Sequence, residues 1–77
     1  MKEAVEKIIK SLVAEPEAVE VEEIVDGKTV RVEVRCADSD MGRIIGREGR
    51  TVKAIRSILF AAGQKQNKRF MLDLIED

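Results

Sequence analysis

The residues of this chain best suited to chemistry lie in Gly46-Arg47-Glu48-Gly49. That chemistry is the holding of an anion by backbone amides and arginines. Two glycines three apart make a tight turn whose backbone no Cβ atom shields, so a sugar-phosphate chain can approach it closely. A helix opening just after the turn, near Arg50 or Thr51, aims its free amides and positive dipole end at the same place. Arg47 and Arg50 add mobile charge there, with Arg43 just ahead. Lys53 and Arg56, one and two turns further on, extend the basic track. Ile44 and Ile45 before the turn, with Val52 and Ile55 after it, anchor it to a core, and some of this apolar surface is free to line a groove for bases. Glu48 fits least well, because a carboxylate in the turn repels phosphate; solvent or a neighbouring arginine is its natural partner.

The formal charge of −1 hides an uneven distribution. Residues 1–41 carry six basic and eleven acidic side chains, whereas residues 42–69 carry eight basic side chains against Glu48 alone, a local charge of +7. Residues 70–77 return three acidic groups. The whole chain therefore lacks the signature of a nucleic-acid binder, but one segment has it. The same composition argues against an enzyme. There is no His, Cys36 is alone, and no carboxylates cluster on a predicted cleft, so no nucleophile has a base beside it. A zinc site lacks its nitrogen and sulfur ligands, and no cofactor is implied. Cys36 reads as a structural residue near the end of a strand.

A chain of 77 residues with 44% apolar content has room for one domain, residues 1–77, with a thin core. The opening run MKEAVEKIIKSLV mixes Glu and Lys into its apolar residues, unlike a secretory signal, and no window is long enough to span a bilayer. A cytoplasmic protein is expected.

The elements that must position the turn follow from periodicity. Val5, Ile8, Ile9 and Leu12 form one helical stripe, and the helix should stop before Pro16. Residues 18–25 and 29–36 alternate valine with charge, the period of half-buried strands, and Asp26-Gly27-Lys28 between them signals a hairpin. Glu22-Glu23 breaks the alternation, which a bulge or a short edge strand would explain. Asp38-Ser39-Asp40 offers N-cap chemistry for a short helix running to Ile45. After the glycines a second helix presents Val52, Ile55, Leu59 and Ala62 on one face and is predicted to end at Gly63, followed by a polar loop from Gln64 to Lys68. Phe70, Leu72 and Leu74 mark a last strand, which the two-helix crossover makes parallel to the strand at 29–36. The expected fold is α+β, in the order α-β-β-α-α-β, with a three-stranded mixed sheet and three helices on one face.

The run from Ile44 to Ile55 resembles the KH-domain signature I-I-G-x-x-G-x-x-I-K-x-I, departing from it at Val52, a conservative change. The element order resembles the type II KH arrangement, and the likeness covers essentially the whole chain. With Gly42-Arg43 ahead of the signature and Arg50-Thr51 behind the turn, the chain is similar to the small bacterial KhpA family. That resemblance implies a non-catalytic module for single-stranded RNA, an RNA chaperone or post-transcriptional regulator. Its GXXG loop would grip the backbone of about four nucleotides while bases lie in an adjacent groove. The RNA-contacting set implied is Arg43, Ile44, Ile45, Gly46, Arg47, Glu48, Gly49, Arg50, Lys53 and Arg56. It also implies a second KH-containing protein of the Jag type as partner, or self-association. With two Phe and no Trp or Tyr, the chain has too few aromatics for RNA modules that stack bases on exposed rings. Two other readings remain open: a protein-interaction module with a vestigial loop, and a helix-hairpin-helix DNA binder, which the valine-rich strands disfavour.

Overall fold

The computed structural model describes residues 1–76. The stripe of Val5, Ile8, Ile9 and Leu12 forms helix α1 (Lys2–Leu12), with Val5 and Ile9 fully buried. Pro16–Ala18 makes a short 3-10 turn instead of opening a strand, so strand β1 is Glu20–Asp26. It pairs antiparallel with β2 (Thr29–Arg35) from Glu20↔Arg35 to Asp26↔Thr29 without a break. The hairpin turns at Gly27, whose φ of 62° is one that glycine adopts without strain.

The unbroken register means that no bulge lies at Glu22-Glu23. Strand β1 is an edge strand, and Glu23 departs from alternation for a different reason. It shares the helix-facing side with Val21, and its carboxylate accepts the N–H of Lys2 at 3.2 Å, at the start of α1. An acidic group suits the positive end of a helix, so this position serves the helix at the expense of the strand pattern.

After β2, Asp38–Asp40 forms a 3-10 turn that leads into α2 (Met41–Ile45). The loop Gly46–Gly49 follows, then α3 (Arg50–Gln66) and β3 (Arg69–Leu74). Strand β3 lies parallel to β2, and the sheet order is β1-β2-β3. The architecture is therefore α+β, with the expected order and a mixed three-stranded sheet. Valines 30, 32 and 34 and Leu72 meet Val5, Ile9, Ile44, Val52, Ile55 and Leu59 in one core, which places all three helices on one sheet face. Each fully buried aliphatic side chain there contributes about 1.5–3 kcal/mol.

Helix α3 does not stop at Gly63. Gly63 is buried within the helix, and a Cβ there would lie 2.5 Å from the carbonyl oxygen of Lys68 and 3.3 Å from the ring of Phe70. Its small size lets the returning chain pack onto the helix. The stop falls at Asn67, in the left-handed region with φ 54°, and the N–H of Lys68 donates to the Gly63 carbonyl at 2.8 Å. The expected polar loop shrinks to Asn67-Lys68.

Candidate nucleic-acid interface

Helix α2 is closed by the Gly46 N–H, which donates to the Gly42 carbonyl at 2.8 Å, and the Gly49 N–H donates back to Gly46 at 3.1 Å. The two glycines serve different needs. Gly46 has φ 78° and ψ 173°, a region essentially reserved for glycine. A Cβ there would overlap the Thr51 hydroxyl and come within 2.7 Å of the Thr51 Cβ. The space a side chain would take at Gly46 is thus filled by Thr51 of α3. Gly49, left-handed at φ 74°, would meet only the Lys53 side chain at 3.8 Å. The space a side chain would take is open at Gly49 and filled at Gly46, while both glycines keep part of their surface exposed. Glu48, between them, is also left-handed with φ 57°.

The charged groups are not equally free. Arg50 lies 3.7 Å from Glu48, and both side chains project into solvent. The Arg43 Nε sits 3.2 Å from Asp40. Arg47 and Lys53 are exposed and make no ion pair among the described residues, so the loop's uncommitted cations are these two. Arg56 donates an N–H to the Leu72 carbonyl at 3.2 Å and so bridges α3 and β3. Ile44 has no exposed surface, which corrects its reading as a base contact: it is core beneath the loop. Ile45 is half-buried and packs against that core.

Asp40 does not act as a side-chain N-cap. Its buried carboxylate reaches across to the α1–β1 connection and accepts the N–H groups of Ala14 and Glu15, each at 3.0 Å. The Ala14 bond is the main reason its pKa falls below the usual aspartate range, with the Glu15 bond and Arg43 adding to it against the opposing effect of burial. A depressed folded-state value contributes stability above the unfolded-state pKa of about 3.9 and loses it as the pH falls through the folded value. Urea midpoints measured across that acid range should fall for the parent chain and fall less steeply for Asp40→Asn. Burial pushes the Cys36 thiol up, helped by Asp40 and Asp38, which keeps it protonated and unreactive at neutral pH.

Along one flank of α3 runs a groove of about 730 Å³, bounded by β3. Arg56, Phe60 and Gln64 form its helical wall, and Phe70, Met71 and Leu72 the strand side. Phe60 is 64% exposed. Strand β3 ends the sheet, and the N–H groups of Arg69 and Ile75 point to β2. Parallel pairing alternates, so Phe70, Leu72 and Leu74 turn their backbone groups to the edge beside the groove, where the Leu72 carbonyl already accepts from Arg56. The sequence reading missed this wall. Phe60 lies one residue off the buried stripe of α3, and a large aromatic in that place was the available signal.

The family model for the KH domain of KhpA and KhpB matches residues 2–74. The chain belongs to the KhpA/KhpB KH-domain family. Curated relatives named RNA-binding protein KhpA include one from Halalkalibacterium halodurans, 45% identical over 99% of this chain and 100% of the relative. Another, from Clostridium perfringens, is 44% identical over 97% of this chain and 100% of its own length. One from Chlamydia pneumoniae is 43% identical over 100% and 99%. No solved structure matches the chain. The matched residues include the loop, α2 and α3, and the α3–β3 groove begins at Arg56. No helix of the described residues is long and apolar enough to cross a membrane.

Proposed function

We propose that this chain is a non-catalytic, cytoplasmic binder of single-stranded RNA, a single KH domain over residues 1–77 that acts as an RNA chaperone or post-transcriptional regulator. The observation that carries the reading is an exposed, uncommitted Arg47 beside left-handed Gly49 at the start of α3, with a groove that begins at Arg56, two turns further along the same helix, and follows a free strand edge. One phosphate sits at Gly49 and the first amides of α3, with Arg47 and Lys53 on neighbouring phosphates. Arg43 and Arg50 strengthen the contact when they leave their carboxylate partners. Bases enter the groove, where Phe60 offers a face and the β3 backbone offers hydrogen-bonding groups to base edges. Gly46, Ile44 and Ile45 hold the loop from behind, and Arg56 fixes the groove's width. The names of the KhpA relatives support the RNA ligand.

Binding of a short single-stranded oligonucleotide, followed by fluorescence anisotropy over a salt series, tests this. Three neutralised phosphates at about 0.7 each give a slope of about −2 in log K against log salt. A much steeper slope for a tetranucleotide would point to a diffuse basic surface, and no binding at low salt would favour the interaction-module reading.

That second reading has one observation in its favour: Ile58 is 57% exposed, adjoining the buried stripe of α3. A helix face of this kind suits a second KH-containing protein of the Jag type, or another copy of this chain. The paired family name supports the former. Such a partner would add the specificity that four nucleotides lack.

A further inference from the structure

The +7 segment reads as one basic stretch in sequence, but the fold divides it. Arg43, Arg47, Arg50 and Lys53 stay at the loop, whereas Lys65, Lys68 and Arg69 are carried to the other end of α3. Seventeen residues of helix at 1.5 Å each put the loop about 25 Å from the far end of α3. There the hairpin brings in Lys28, distant in sequence, because the Arg69 N–H donates to the Lys28 carbonyl at 2.8 Å. Gly63 holds Lys68 against the helix by the close approach described above. The result is a shallow cleft of about 510 Å³ lined by Lys28, Asn67, Lys68 and Arg69.

Two facts give this corner a ligand class. Lys28, Lys65, Lys68 and Arg69 are all exposed, and none makes an ion pair among the described residues, whereas Arg43 and Arg50 at the loop are both paired. The Asp26 carboxylate stands in the same cross-strand row, with Thr29 between it and Arg69. The corner therefore holds more free positive charge than the loop does. Gln64, Lys68 and Arg69 also belong to the groove, so groove and corner form one continuous path.

We infer that this corner is a second phosphate-binding site, which takes the backbone of the same RNA strand where it leaves the groove. The inference rests on the RNA reading above. It extends the footprint beyond the nucleotides held at the loop, and the two contacts share one strand.

The test compares a tetranucleotide with a twelve-nucleotide single strand of the same base composition. The chain carrying Lys28→Glu and Lys65→Glu, neither of which lines the groove, is measured alongside the parent chain, with circular dichroism to verify folding. A milder pair, Lys28→Ala and Lys65→Ala, serves if the first does not fold. Two lost phosphate contacts should weaken the longer strand about tenfold at low salt and reduce its salt slope by about 1.4, while the tetranucleotide is unaffected. Equal loss on both lengths, or none on either, overturns the inference. A loop variant separates this result from the reading it rests on. If Arg47→Asp with Glu48→Asp weakens both lengths while the folded corner variants weaken neither, the clamp stands and the corner falls. If only the corner variants matter, the clamp falls and with it the shared-strand arrangement proposed here.

Discussion

Gly46→Ala is expected to destabilise the fold by about 3 kcal/mol or more, the sum of a backbone conformation that disfavours side chains and an overlap with its neighbour. The overlap is with Thr51, which is tied to the first turn of α3 and cannot give way without moving that helix. A chain of 77 residues has about 4–12 kcal/mol of stability in total, so the loss removes a large part of it. Gly49→Ala should be milder, about 1–2 kcal/mol, because it incurs left-handed strain but finds open space. Urea unfolding measures both, as a shift of midpoint at constant slope. Equal losses at the two glycines would contradict the separate roles assigned to them. The distinction matters for function, since RNA-binding defects at Gly46 would follow from lost structure and those at Gly49 from lost access.

Much of this arrangement is legible in the sequence because the elements repeat at regular periods. The valines of β2, the stripe of α1 and the Asp-Gly hairpin each state a local preference that the fold keeps. The loop and its charge are legible too, since the signature is contiguous. What escapes is whatever depends on contacts between distant segments. Asp40 looks like a helix cap, but burial and two amides from the α1–β1 connection give it a better use. Gly63 looks like a helix stop, yet a carbonyl five residues on needs its missing side chain. Glu23 interrupts a strand for the sake of a helix start. The free edge of β3 and the gathering of Lys28 with Lys68 and Arg69 exist only once the sheet order is fixed.

In the proposed clamp the loop grips RNA through Arg47 and the backbone at Gly49. Arg47→Asp combined with Glu48→Asp tests this without touching either glycine. Both side chains are exposed, and aspartate tolerates the left-handed conformation of residue 48 better than glutamate does, so folding should be retained. Reversing the charge of the loop's uncommitted arginine removes one phosphate contact and adds repulsion to its neighbours. The decisive measurement is the affinity of this folded variant for a single-stranded tetranucleotide at low salt, beside that of the parent chain. A loss of about tenfold or more is expected. An unchanged affinity in the variant, with clear binding by the parent chain, would show that the loop is not the site.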